Sequence, residues 1–298
     1  MMPRRFRATY YVALGFWMIL APAVISALFN NGGFENGDFS SWTKTTFLNP
    51  GLTGSPPFTG ANIVRSPGGI DISKIVSGSG PETTPDTISL GNLKVPEFGT
   101  KCAKVNGDDA EGGNNQNANS IKQSGATTSA DVDPSDSKIH VRFSWAAVLE
   151  NPQHNANDQP FFYIEVQNVT KATLIYSVFK FSDPTDPIWH TDGTAGWLYT
   201  QWQIIDQAFD STQVAVGDTL SIEAIGSGCS LGGHAGYVYL DGFGAFLPTT
   251  PTPTPIVLPT LTATPPQVAV AVPTLSGYGF IMLTMLLSFV AVIFLRRL

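Results

Sequence analysis

Aromatic rings and carboxylates are the side chains through which this sequence could do chemistry. Trp189, Trp197, Tyr199 and Trp202 lie in a stretch rich in Gly, Asp and Thr. Flat aromatic faces cover the apolar faces of sugar rings, while nearby polar groups bond the hydroxyls. Exposed, these four rings would make a carbohydrate-binding surface, led by Trp189 and Trp197 beside His190, Asp192 and Gly193. Buried, they would be ordinary core anchors. Asp108, Asp109 and Glu111 gather in the polar segment Gly107–Asn117. They could hold a cation but lack the spacing of a Ca2+ loop, so a solvated loop is expected.

Enzyme chemistry has little support. His140, His154, His190 and His234 are scattered without a His-x-x-x-His spacing. There is no Gly-x-Ser-x-Gly elbow, Walker loop or dinucleotide fingerprint. A carboxylate pair assembled by the fold, as in a glycosidase, stays open among 23 acidic residues. His234, between Gly233 and Ala235, reads as a hydrogen-bonded structural group. The expectation is a non-catalytic protein.

The elements that position these residues read as strands. Ile139, Val141, Phe143, Trp145 and Ala147 alternate with smaller or polar residues and place one apolar row on one face. Phe162, Ile164 and Val166 repeat the pattern, as do Leu174–Phe181 and Leu220–Ala224, and Tyr237–Phe246 supplies the last strand. Weaker candidates are Asn62–Arg65, Asp71–Val76, Thr87–Leu90 and Lys101–Val105. Short strands punctuated by Gly, Pro and Asn predict an all-β antiparallel sandwich over residues 28–247.

Both ends of the chain concern location. A basic start (Arg4, Arg5, Arg7), an apolar run from Tyr10 to Ile25 and small residues up to Ala27 predict a signal peptide over residues 1–27. Residues 248–272 are dense in Pro and Thr, which favours an extended polyproline stalk. Leu275–Leu295 carries no charge and precedes Arg296 and Arg297, so a single membrane helix is expected, with the C-terminus cytoplasmic and the body outside. Every acidic residue lies in that body, 23 against the eleven of 16 Lys and Arg that remain once five are assigned to the ends, a net of −12. Such a charge excludes nucleic acid as a natural partner. In an exported chain a disulfide between Cys102 and Cys229 is the expectation, with two free buried thiols as the alternative.

Three segments carry family resemblances. Val272-Pro273-Thr274-Leu275-Ser276, then Gly279, followed by the apolar helix and the Arg pair, resembles the IPTL-CTERM variety of the PEP-CTERM sorting signals, over residues 273–298 and the preceding Val. It departs at Val272, where the family has Ile, and at Gly277 and Tyr278, where the family has an acidic residue and Trp. The resemblance implies processing by an exosortase-type membrane enzyme; a plain single-pass anchor is the alternative. Asn31-Gly32-Gly33-Phe34-Glu35-Asn36-Gly37, running to Trp42, resembles the opening of carbohydrate-binding modules and galactose-binding-like jelly rolls. Tyr237-Val238-Tyr239-Leu240-Asp241, preceded by Cys229 and Gly232-Gly233-His234, is similar to their closing strand in bacterial surface proteins. That class implies a jelly roll whose first and last strands are neighbours, joined by a structural Ca2+. On this sequence the side-chain ligands would be Glu35 and Asp241. The function implied is an exported, surface-anchored protein that binds carbohydrate or matrix polymer, with a structural or adhesive surface protein as the alternative.

Overall fold

Period-2 alternation dictates the centre of this fold, and the strands that carry it lie where the sequence puts them. The computed structural model describes residues 28–244. The chain divides into two units, Met1–Thr250 and Pro251–Leu298, and all described residues belong to the first. The signal peptide, the stalk, the sorting motif (Val272, Pro273, Thr274, Leu275, Ser276, Gly279) and the membrane helix lie outside the described residues. Among the described residues no helix is long and apolar enough to cross a membrane.

In chain order the first strands are β1 (Thr43–Leu48), β2 (Lys74–Ser77), β3 (Thr84–Pro85), β4 (Lys94–Val95), β5 (Lys101–Val105), β6 (Asn117–Ala126) and β7 (Val132–Asp133). Then come β8 (Lys138–Glu150), β9 (Phe161–Asn168), β10 (Thr173–Phe181), β11 (Trp197–Tyr199), β12 (Gln203–Phe209), β13 (Thr219–Ser227) and β14 (Gly236–Gly244). One sheet runs β1-β6-β13-β9-β10. A second runs β11-β8-β14-β5-β2, with β12 and β7 also paired to β8, and β3 and β4 form a separate two-stranded ribbon. All pairings are antiparallel.

The two sheets face each other across one apolar core. Val141, Phe143, Trp145 and Ala147 of β8 meet Phe162, Ile164 and Val166 of β9 and Leu220, Ile222 and Ala224 of β13. This is the row predicted from alternation. The opposite face of β8 and β14 is covered too. Ala146, Val148, Tyr237 and Tyr239 are buried under Leu93, Val95, Trp197 and Tyr199. Asp86 anchors this cover by accepting bonds from the hydroxyls of Tyr237 (2.7 Å) and Tyr239 (2.8 Å). Every residue of β14 is buried as a result.

Three expectations are corrected. Asn62–Arg65 and Thr87–Leu90 are not strands; they are turns and irregular chain. The opening motif, which in the jelly rolls it resembles starts the first strand, does not start one here either. It is a knot of turns, with Asn31, Phe34, Gly37 and Ser41 at positive φ, and β1 begins only after Trp42. The acidic segment is not simply solvated. Glu111 pairs with Lys74 and with the buried Lys104, whose Nζ is 2.6 Å from Glu111 Oε2 and 3.5 Å from Asp108 Oδ2. These carboxylates hold lysines, not an open cation site.

Cys102 and Cys229 are both free and buried, which overturns the expected disulfide. Cys102 sits on β5 beneath the cover of the seven-stranded sheet, in contact with the Leu93 and Tyr239 cluster. Cys229 lies in the turn between β13 and β14, its Sγ 3.2 Å from Gly232 O. The fold gives each thiol its own enclosure, so chain closure is achieved by sheet pairing alone. A thiol count on the denatured chain without reductant is expected to find both. Reductant is expected to leave the unfolding temperature unchanged, where loss of a disulfide would cost about 2–5 kcal/mol.

Candidate functional site

The opening knot is built on aromatic stacking and lies against the end of the last strand. Phe34 is fully buried and stacks on Trp42 at 5.1 Å, while Phe29 meets Phe243 edge-on at 4.5 Å. Phe243 N–H donates to Gly32 O at 3.0 Å. A Cβ on Gly32 would lie 1.8 Å from Phe243 O, so only glycine permits this approach. The register of β14 against β8 shifts between Asp241 and Gly244, with Gly242 at φ 64°. This bulge changes the phase of the strand. Val238 and Leu240 point into the inter-sheet core, and Phe243 joins them there, while Asp241 faces the other way.

Glu35 and Asp241 reach the same short segment. Glu35 Oε1 accepts the backbone N–H groups of Thr100 (2.8 Å) and Lys101 (3.0 Å), and Oε2 accepts the Thr100 hydroxyl (2.7 Å). Asp241 Oδ2 accepts Phe98 N–H at 2.8 Å. Asp241 Oδ1 is buried with no hydrogen-bond partner. Burial pushes the Asp241 carboxyl up to about 8, against its backbone donors and with a further push from the Glu35 charge. Asp241 Oδ1 is thus an unpartnered hard oxygen of the type Ca2+ takes, whereas both Glu35 oxygens already accept N–H or O–H donors.

The aromatic residues singled out in sequence are not brought together as an exposed platform. Trp189, Trp197 and Tyr199 are at most 8% exposed. Trp189 packs in the main core against Phe162 (6.4 Å), and Trp197 lies against Tyr237 (6.4 Å). Tyr199 stacks on His190 at 5.1 Å, and its hydroxyl donates to Asp192 at 2.6 Å. Trp202 is half-buried, tilted on Tyr239, and its Nε1 donates to Lys94 O at 2.8 Å. The main core takes Trp189, and the cover over the seven-stranded sheet takes Trp197, Tyr199 and Trp202.

A partly exposed aromatic surface lies elsewhere, at the end of the edge strand β10. Phe179 and Phe181 stand on its outer face and are half-buried. Phe58 closes over both at 5.7 Å, behind Pro56 and Pro57. These residues, with Lys180, Asp183 and Asp186, line an open cleft of about 430 Å³. Lys180 Nζ pairs with Asp186 Oδ2 at 2.6 Å. A second cleft of about 480 Å³ shares Phe181 and Asp183 and continues to Gln153, His154 and Gln159. The sequence showed Phe179 and Phe181 as strand residues. The sign that they form a site, Pro56-Pro57-Phe58, lies far away along the chain.

No protein-family model matches the sequence. No curated protein matches it either. Among solved structures, the chain is similar to the K1 adhesin domain of Lys-gingipain from Porphyromonas gingivalis W83, at 9% identity and a TM-score of 0.30, over 70% of this chain and 92% of that one. It is also similar to CBM27-1 of Caldicellulosiruptor saccharolyticus, solved with mannohexaose, at 12% identity and a TM-score of 0.28, over 57% of this chain and 87% of that one.

Proposed function

We propose that this chain is an exported, surface-anchored, non-catalytic protein whose jelly-roll sandwich binds carbohydrate or a matrix polymer through the cleft at β10. The observation that carries this reading is the cleft itself. Phe179 and Phe181 offer partly exposed apolar ring surface backed by the buried Phe58, and Asp183, Asp186 and Lys180 stand beside them as partners for hydroxyls. That pairing of flat apolar faces with a few fixed polar groups is what a sugar ring requires. The cleft is open and adjoins a second one through Phe181 and Asp183, which suits a chain of sugar units. A structural Ca2+ held by Glu35 and Asp241 would tie the opening knot to the closing strand and keep the sandwich shut. The signal segment, the Pro/Thr stalk and the sorting tail, read in sequence, supply export and anchoring. The exosortase-type enzyme would be the processing partner.

Binding of the full chain to a glycan array, followed by calorimetry on the best polysaccharide, tests the reading. Phe179→Ala and Phe181→Ala are each expected to weaken binding about tenfold or more, as loss of a central aromatic contact does. Equal affinity in both variants rejects the cleft. No glycan bound by the wild-type chain rejects carbohydrate as the ligand and favours the structural, adhesive reading.

A further inference from the structure

We infer that His154, Cys229 and His234 form a binding site for a thiophilic transition-metal ion of the Zn2+ class. The three residues come from two loops at one end of the sandwich. One ring nitrogen from each histidine and the Cys229 sulfur lie within 4.8 Å of one another. Cys229 Sγ is 3.4 Å from His234 Nδ1. The two imidazoles meet edge to face at 5.0 Å. His154 Nδ1 is buried and has no hydrogen-bond partner.

The backbone holds this cluster in place before any ion arrives. Cys229 N–H donates to His234 O at 3.0 Å, so the two residues face each other across a tight turn. Gly232 and Gly233 make that turn at φ 75° and 87°, a region that favours glycine. Gly233 N–H donates to Asn114 O at 2.6 Å. The loop that brings His154 is tied to the turn by Ser230, whose hydroxyl donates to Asp158 Oδ1 at 2.6 Å. Glu150 N–H donates to Ala235 O at 2.9 Å, and Ala235 N–H returns a bond to Glu150 Oε2 at 3.1 Å. Buried Gln159 fixes the His154 carbonyl at 3.1 Å.

The chemistry of the set selects the ion. One thiolate and two imidazoles suit Zn2+, Co2+ or Cu+, and they suit Ca2+ or Mg2+ poorly. The carboxylates of Asp109 and Glu150 are close enough to act on His234 and Cys229 and add negative potential. His154 also lines the open cleft that continues from β10, which gives an ion a route in. Cys229 is fully buried, so the cluster does not present a nucleophile to a substrate. Three protein ligands leave a fourth position for water or another ligand in a tetrahedral ion.

Titration of the reduced full chain with Co2+, in detergent, tests the site. A thiolate-to-cobalt charge-transfer band saturating at one equivalent is expected, and Zn2+ should displace it. Cys229→Ser should abolish the band, while Asp241→Asn should leave it intact. His154→Gln and His234→Gln should each weaken Co2+ affinity about 100-fold or more. Absence of the band in the wild-type chain, or the same band in Cys229→Ser, overturns the site. Should Cys229→Ser not fold, His154→Gln decides, and unchanged affinity there overturns it equally.

Discussion

At pH 8 in EDTA, Asp241→Asn is expected to unfold at a higher temperature than the wild-type chain, and in millimolar Ca2+ the order should reverse. Asp241 is fully buried, and its carboxyl is pushed up to about 8 from an ordinary value of 3.8. Without a cation, the folded state therefore holds the proton more tightly than the unfolded state. Stability from this group is complete below the ordinary carboxylate range and is lost as pH rises from about 4 toward 8. At the top of that window the loss is on the order of 5 kcal/mol, or roughly 10–20 °C in a domain of this size. Asn has no proton to lose. It keeps an acceptor for Phe98 and places an amide where the orphaned oxygen was, a smaller penalty of about 1–3 kcal/mol. Bound Ca2+ would hold the wild-type carboxylate ionised and remove the slope. Thermal unfolding of both chains from pH 5 to 8, with and without Ca2+, is the measurement. A flat wild-type profile in EDTA, or equal Ca2+ responses in the two chains, sinks this account.

Gly32→Ala is expected to cost about 3–5 kcal/mol in denaturant unfolding, in the range where a steric conflict is the diagnosis. The new methyl group would stand 1.8 Å from Phe243 O, and that oxygen is backbone, so it cannot swing away. Relief requires the opening knot to lift, which breaks the Phe243 N–H bond to Gly32 O and loosens Phe29 and Trp42 from Phe243. If Ca2+ binds at Glu35 and Asp241 as proposed, its affinity should fall along with stability, because Glu35 travels with the knot. Gly217→Ala is the control. Nothing lies within 4 Å of its Cβ, and only φ 95° opposes the change, so about 1 kcal/mol is expected. Equal losses at both positions would mean that contact with Phe243 is not what holds the knot.

The sequence revealed those strands whose two faces differ. β8, β9 and β13 alternate because one face meets the other sheet, and their apolar rows are the observed core. β6 escaped notice because its buried positions include Asn117 and Asn119. Asn117 Oδ1 accepts Ile70 N–H at 2.7 Å, and Asn119 Oδ1 accepts Ile72 N–H at 2.9 Å. A strand that buries amides to hold a neighbouring loop shows no hydrophobic period. β12 was missed for another reason: Ile204 is 53% exposed, so its apolar residues do not mark an inner face.

The candidate site was legible in its motifs and illegible in its assembly. Glu35 and Asp241 were visible as parts of short motifs at opposite ends of the domain, and the fold brings both to residues 98–101. For Trp189 and Trp197 the sequence left surface platform and core anchor both open, because what covers them is the packing of distant segments. His154 and His234 looked scattered for the same reason. Their meeting depends on the Gly232-Gly233 turn and on the Ser230–Asp158 tie. The Cys229-x-x-x-x-His234 spacing has no further Cys or His ligand close by in sequence to mark it, but the glycine pair between them marks a hairpin that sets the two side chains face to face.

The position of β14 has a mechanical consequence. It lies between β8 and β5, bonded to both, and the chain continues from its end toward residue 298. A pull on that end directed along the strand would load these cross-strand bonds together, in shear, instead of peeling them one by one. A head held this way would resist flow or traction by sharing the force across two neighbouring strands, with the greatest tension falling on the stretch next to the Gly32 lock.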